Sequence, residues 1–289
     1  MCLPTIIIMM LTEPWMQRAF LTALLLAPLC ALLGVFVTAR RMAFFSDTIS
    51  HAGLTGVAVG VWLGLADPTL PLIAVSLAVA AAIFWLKENT SLVTDSIMAL
   101  LLSGSVAVGV ILLKMLKTRP GDLYGFLFGD LLAGGWREVW QAAGLCVIVS
   151  IGIFLNLSSL SLVTAHEEMA QVCGIRVRGL NYAFVIVLTL TVALTIRLLG
   201  IILVTSLLVI PPATAGNLSR NLRQQILLSI AAGGIGAIGG LVVAYQLDVP
   251  CGAAIVLTCL GLFILTLVGA RVRNAWTSRV SRAASTPVA

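Results

Sequence analysis

Nine long apolar stretches follow one another along the chain and constrain its fold more than any other feature. Each holds roughly 18 to 23 residues, enough to cross a hydrocarbon core of about 30 Å at 1.5 Å per helical residue. The stretches are approximately 21–39, 44–66, 68–86, 91–113, 138–157, 179–196, 198–218, 226–247 and 251–270. Barrel strands would instead show about ten residues of alternating polarity between turns. The sequence therefore predicts an all-α, polytopic transmembrane helical bundle of about eight to nine spans.

The composition fits a chain whose surroundings are a lipid bilayer. Hydrophobic residues make up 60% of the chain, charged residues only 10%, and the mean hydropathy is +1.13. The net charge of +6 does not indicate nucleic-acid binding, because the basic residues cluster at the ends of the stretches. With the C-terminus in the cytoplasm, eleven of the seventeen basic residues lie inside. The positive-inside rule favours this orientation, and nine spans then put the N-terminus outside.

The domain organisation is predicted to be simple, since no linker or second soluble domain interrupts the apolar stretches. We expect an N-terminal extension at 1–18, one transmembrane domain at 19–273 and a cytoplasmic tail at 274–289. The six cysteines are scattered without a CxxC pair, so they are interpreted as small packing residues. Small residues recur at every fourth position in the second and eighth stretches, which predicts close helix packing there.

Asp47 and His51 lie inside the second stretch, where an ionisable pair needs an explanation. Residues four apart share a helix face, and counting from Arg41 places His51 roughly 15 Å deep. An acid at that depth costs on the order of 2.5–3.5 kcal/mol. A mutual hydrogen bond, a proton relay or a transient metal site could each account for the pair. A dimer would supply four ligands for zinc or manganese, but residue types and spacing alone do not rank the relay against the metal site.

The seventh stretch ends in a double proline that runs into small, polar and basic residues. Pro211 and Pro212 are expected to break the incoming helix, and a short second helix is expected to begin after them. Such a helix at the cytoplasmic face would offer a contact surface for a partner. The alternative is that the double proline simply marks the end of a transmembrane span and has no further role.

Two enzyme motifs are missing from the sequence. HEEM at 166–169 has no second histidine at Ala170, so it is not a zinc-protease motif. No GxxxxGK[ST] sequence occurs, so ATP could act only through a partner subunit. Any ATP-driven role would therefore require a partner subunit that carries the ATPase site.

Five segments in order resemble the permease subunits of bacterial binding-protein-dependent ABC importers for zinc, manganese and iron. They span nearly the whole chain, and the ordered set is much more specific than any single segment. The segments are RRMAFFSDTISHAGLTGVAVG (40–60), YGFLFGDLLA (124–133), EEMAQVCGIRVRGLN (167–181), GIILVTSLLVIPPATAGNLSRN (200–221) and DVPCGAAIVL (248–257). The DTISHA motif is most similar to the corresponding motif of the zinc-uptake permeases.

The resemblance implies a bacterial inner-membrane, multi-pass transport subunit of an ATP-driven importer. Such a subunit has no ATPase site of its own and no permanently bound cofactor. Its expected partners are a second permease copy, cytoplasmic ABC ATPase subunits and an extracytoplasmic metal-binding protein. The cargo would be zinc, or alternatively manganese or iron, with Asp47 and His51 as candidate metal contacts. The family's ATPase-coupling segment carries over to Pro211, Pro212, Ala213, Thr214, Ala215, Asn217 and Arg220. A proton-coupled secondary transporter is the rival from another class, with the same acid and imidazole as its relay.

Overall fold

The computed structural model describes residues 13–65, 67–115, 129, 131 and 134–284, and these residues form helices and connecting turns with no β-strand. The helices are α1 (Pro14–Ala39), α2 (Ala43–Trp62), α3 (Thr69–Asn89), α4 (Thr94–Met115), α5 (Trp136–Leu155), α6 (Leu157–Ala165), α7 (Glu167–Val172), α8 (Val177–Leu199), α9 (Ile201–Gly216), α10 (Leu222–Leu247) and α11 (Cys251–Ala284). Each of the nine apolar stretches corresponds to one long helix, and α6 and α7 are the two short ones.

Seven of the helices are long and apolar enough to cross a membrane: α1, α3, α4, α5, α8, α10 and the first part of α11. The apolar helix α9 is shorter, with 16 residues. The helix α2 has 20 residues, but its polar side chains lower its hydropathy. The prediction of an all-helical bundle is confirmed, and the helix count agrees with eight to nine spans.

The helix ends lie at two opposite ends of the bundle, as expected for helices that cross a membrane in alternating directions. Arg40 after α1 contacts Asn181 near the start of α8. Asp67 before α3 contacts Arg197 near the end of α8. We call these the Arg40 end and the Arg197 end. In the predicted orientation the Arg40 end faces the cytoplasm.

The helix α1 forms the centre of the bundle and is the most completely buried of the apolar helices. It packs against α9, α10 and α5, while α2 packs against α3 and α4. Large buried side chains such as Phe36, Leu33 and Leu208 belong to one hydrophobic core that joins these helices. The outer helices α4, α5 and α11 expose many large apolar side chains. That exposure is what a lipid environment tolerates and water does not.

Glycines let α2 approach α3 as closely as the sequence suggested. A Cβ atom at Gly56 would lie 2.7 Å from both the Leu72 Cα atom and the Pro71 carbonyl oxygen. Such small-residue contacts bring backbones together where lipid provides no hydrophobic driving force. Gly64 is different, because its φ angle is +69° and no atom lies near its Cβ position. It belongs to the turn that follows α2.

The predicted helix break at the double proline is wrong. The helix α9 continues through Pro211 and Pro212 to Gly216, and no separate short helix follows them before α10 begins. A proline at position 212 leaves the Leu208 carbonyl without its usual donor. This oxygen packs against Gly34 of α1, where a Cβ atom would lie only 2.1 Å from it. Packing of α9 on α1 therefore keeps the helix intact.

Both ends of the described chain are helical beyond the predicted boundaries. The helix α1 begins at Pro14, so 14–18 of the predicted extension are helical, with Met16 buried. The helix α11 continues to Ala284, well into the predicted tail. The rest of the extension, the last residues of the tail and nearly all of the segment 124–133 lie outside the described residues.

Candidate functional site

The helix α2 is buried along most of its surface and accessible along a single stripe. The stripe consists of Phe44, Asp47, His51 and Leu54, which recur at helical spacing on one face. The positions between them, such as Ile49 and Ser50, are completely buried. The structure therefore places both ionisable side chains on the one open face of an otherwise enclosed helix.

The acid and the imidazole face each other without touching. His51 Nε2 lies 3.8 Å from Asp47 Oδ1, which is beyond hydrogen-bond distance. The side chains remain 26% and 36% exposed for His51 and Asp47, respectively. One explanation of the pair was a mutual hydrogen bond between the two side chains, and the structure does not contain that bond. Both side chains keep lone pairs free for another ligand.

A single chain provides only part of a metal site. Among the described residues, no group of three or more His, Cys, Asp and Glu side chains could hold a metal ion. Asp47 and His51 together offer one carboxylate and one imidazole, whereas structural zinc sites use four ligands. A complete coordination shell would therefore need ligands from water or from a second chain.

Two hydrogen bonds join α2 to α4 next to the accessible stripe. Thr55 donates a hydrogen bond to the Ser105 carbonyl oxygen at 2.6 Å, and Thr48 donates one to the Met98 carbonyl oxygen at 3.2 Å. Both acceptors belong to α4. No local sequence pattern singles out these two threonines, although their spacing of seven places them on one helix face. Thr48 lies three residues before His51 and Thr55 four residues after it, so α4 packs beside the accessible stripe and these bonds help to set the rotation of α2.

The seven predicted coupling residues divide into a buried group and an accessible one. Pro211, Pro212, Thr214 and Ala215 are buried, whereas Ala213 and Asn217 are half-buried and Arg220 is exposed. The residues of the predicted set that are accessible to a partner therefore lie mainly in the turn between α9 and α10. We call residues 216–221 the α9–α10 turn.

The short helix α7 lies at the Arg40 end of the bundle, where it packs against α6 and the start of α8. Met169 is 58% exposed and Val172 is 84% exposed. The opposite side of α7 is held by a small cluster of Val163, Ala170 and Val177. Exposed apolar side chains on an anchored helix are typical of a surface that another protein covers.

The Arg197 end carries a separate polar group and a cavity. Arg197 lies 3.0 Å from Asp67 and also contacts Thr69. Hydrogen bonds from Thr69, helped by Arg197, hold the pKa of Asp67 below its ordinary value. A cavity of about 790 Å³ opens here between α1, α3, α5 and α8. None of its lining residues belongs to α2, so this cavity is distinct from the Asp47–His51 stripe.

Helices of membrane length and an ionisable pair on one open helix face are features of membrane transport proteins. The chain matches the model of the ABC 3 transport family over residues 12–270. It belongs to this family, and so to the multi-pass permease subunits of ABC metal importers in the bacterial inner membrane.

Relatives within the family are named for different metals. The high-affinity zinc uptake system membrane protein ZnuB of Haemophilus influenzae is 34% identical, covering 86% of this chain and 95% of its own length. The manganese transport system membrane protein MntC of Halalkalibacterium halodurans is 32% identical, covering 89% of this chain and 87% of its own. Among solved structures, PsaBC from Streptococcus pneumoniae in complex with Fab superimposes with a TM-score of 0.81 at 29% identity. That match covers 92% of this chain and 95% of the other.

Proposed function

We propose that this chain is the permease subunit of an ATP-driven importer that takes up Zn²⁺. The importer contains two copies of the chain, cytoplasmic ATPase subunits and an extracytoplasmic protein that delivers the metal. The single observation that carries this proposal is the accessible Asp47–His51 stripe on an otherwise buried helix. An ionisable pair within a transmembrane segment is by default a functional site, and here it remains open to a passing ion.

Two copies of the stripe would complete the coordination of a divalent cation. One chain supplies a carboxylate and an imidazole, so a twofold axis beside α2 supplies two of each. Four nitrogen and oxygen ligands suit tetrahedral Zn²⁺. The site holds the ion weakly, because transport requires both entry and release. In this arrangement the metal is cargo and passes between the two copies.

Zinc is proposed over manganese and iron on the basis of the ligand set and the similarity to a zinc-uptake protein. Imidazole ligands favour Zn²⁺ over Mn²⁺ in the general order of affinities, whereas an all-oxygen site would favour Mn²⁺. The similarity to ZnuB, at 34% identity, points in the same direction. The manganese permease at 32% identity makes manganese the alternative cargo.

Zinc uptake by proteoliposomes that contain the assembled importer tests the proposal. We expect uptake that requires ATP inside the vesicles, stops with vanadate and persists when a protonophore dissipates the proton gradient. A tenfold excess of Mn²⁺ should compete weakly. Uptake that collapses with the proton gradient and needs no ATPase subunit would instead support a secondary transporter with Asp47 and His51 as a proton relay. Strong competition by Mn²⁺ would reassign the cargo.

The ATPase subunits are proposed to contact the Arg40 end at the α9–α10 turn and at the neighbouring helix α7. In the turn, the coupling role falls on Asn217 and Arg220, since the prolines, Thr214 and Ala215 are buried. The buried residues act indirectly by fixing the end of α9 against α1. Asn217 Nδ2 also lies 3.4 Å from Thr266 Oγ1 of α11, which links the turn to the last helix.

Reversing the charge of the exposed turn should weaken the ATPase contact. We expect Arg220→Glu to reduce co-purification of the ATPase subunits by at least about tenfold, because placing like charges opposite each other at an interface costs more than ~1.4 kcal/mol. Arg137→Glu is the matched control, since Arg137 is also exposed but lies at the Arg197 end. Normal ATPase retention and normal uptake in Arg220→Glu would move the contact to α7 alone.

A further inference from the structure

Arg40 joins three helices at the elbow between α1 and α2. Its Nε donates to Thr164 Oγ1 of α6 at 3.0 Å, and Nη1 donates to Asn181 Oδ1 of α8 at 2.9 Å. The guanidinium also lies 4.6 Å from the centre of the Phe184 ring, within range of a cation–π interaction. Since α2 begins at Ala43, this single side chain ties the start of the helix with Asp47 and His51 to α6 and α8.

The third nitrogen of the same guanidinium, Nη2, forms no hydrogen bond. Arg40 Nη2 is buried and has no hydrogen-bond partner. Leaving a buried donor unpaired destabilises a protein, and more so when the donor is charged. Such a donor on an otherwise fully engaged side chain indicates that an acceptor reaches it in another arrangement of the protein.

Glu167 is the acid that is placed to become this acceptor. It is exposed at the first position of α7, directly after α6 and its Thr164 contact to Arg40. Burial lowers the pKa of Arg40 from its ordinary value, and the negative charge of Glu167 opposes that shift, so the two charges interact. The two side chains do not form an ion pair, since His51–Asp47 and Arg197–Asp67 are the pairs within 4 Å among the described residues.

We propose that Arg40 and Glu167 form an ion pair in a second arrangement of α7, and that this pair transmits ATPase-driven movement to α2. The inference rests on the proposed function, because it requires an ATPase subunit that presses on the Arg40 end. Displacement of α7 toward the bundle brings the Glu167 carboxylate to Nη2 and forms a charge-assisted hydrogen bond. The elbow then follows α7, and α2 moves with it. Arg40 is a positioning residue in this scheme, since it touches neither metal nor ATP.

Pairs of neighbouring like-charged residues provide matched variants. Arg40→Gln and Arg41→Gln each remove one positive charge from the same turn, but the exposed Arg41 side chain forms no hydrogen bond or ion pair among the described residues. Glu167→Gln and Glu168→Gln each remove one negative charge from the first turn of α7. The test measures Zn²⁺ uptake and ATP hydrolysis together in proteoliposomes that contain the complete importer.

We expect zinc taken up per ATP hydrolysed to fall about tenfold in Arg40→Gln and in Glu167→Gln, as for residues that act as one unit. The double variant should be no worse than either single variant, and Arg40→Lys should recover part of the loss by keeping the charge. Arg41→Gln should stay within about twofold of the wild type, and Glu168→Gln, which removes the same charge from α7, should lose less than Glu167→Gln. Glu167 is exposed, so its variant tests the pair even where Arg40→Gln fails to assemble.

Two outcomes would overturn the inference while leaving the proposed function intact. In the first, Glu167→Gln retains wild-type uptake per ATP in an importer that transports zinc. In the second, the losses of the two single variants add in the double variant, which would show independent roles. A wild-type importer that takes up no zinc would instead contradict the proposed function itself, so the two failures are distinguishable.

Discussion

Replacing either member of the Asp47–His51 pair is expected to abolish zinc uptake while leaving the permease folded and assembled. Asp47→Asn and His51→Ala each remove two ligands from the proposed four, because both copies of the chain carry the change. Altering only an outer partner of a metal ligand already costs about 10- to 100-fold in affinity or activity. We therefore expect at least about a 100-fold loss of uptake in vesicles. Folding should survive, since both side chains lie on the accessible stripe.

The chain offers a control for each of these substitutions. Asp95→Asn changes an exposed acid in the first turn of α4 that forms no ion pair among the described residues, and uptake should remain normal. His166→Ala removes the other histidine of the chain, and zinc affinity of the purified permease should not change. If His51→Ala or Asp47→Asn supports normal uptake at a normal protein level, neither residue is a metal contact and the ion route must lie elsewhere.

The long helices were predictable from the sequence because the bilayer imposes their length. Twenty apolar residues in succession have few alternatives to a transmembrane helix, and each predicted stretch overlaps one long helix of the structure. The exact ends were not predictable in the same way. Nothing in local hydropathy indicated that α1 begins at Pro14 or that α11 continues to Ala284.

The double proline shows how tertiary packing overrides a local rule. Taken alone, Pro211 and Pro212 predict a helix break, since each removes a backbone donor. Whether the helix breaks depends on where the freed carbonyl can go, and Leu208 O packs against Gly34. Gly34 lies more than 170 residues earlier in the chain, so no local pattern could report it. Because of the same separation in the chain, the sequence could not indicate that the buried residues of α9 pack against α1.

The candidate site was only half predictable for a related reason. Spacing placed Asp47 and His51 on one helix face, which the structure reproduces. Spacing could not tell whether that face was buried by neighbouring helices or open to a passing ion. Arg40 was visible only as a basic residue at a span end, because its partners Thr164 and Asn181 lie 124 and 141 residues away.

Enlarging Gly56 is expected to disable the permease without touching any polar residue. Gly56 lies on the rear of α2, where a Cβ atom would approach the Leu72 Cα atom and the Pro71 carbonyl oxygen to 2.7 Å. Backbone atoms cannot move aside as a flexible side chain does, so Gly56→Leu must separate α2 from α3. Overpacking of this kind costs about 1–3 kcal/mol, and more when a backbone shifts. The accessible stripe would turn with the helix.

The matched control for this change is Gly152→Leu in α5, an exposed glycine with no atom within 4 Å of its Cβ position. Both variants add the same side chain to a transmembrane helix, so they differ only in what the new atoms meet. We expect Gly56→Leu to lose thermal stability in detergent and most zinc uptake, and Gly152→Leu to match the wild type. A Gly56→Leu permease with wild-type stability and uptake would mean that α2 and α3 can separate freely. In that case the contact between these two helices could not be what orients Asp47 and His51 toward the ion.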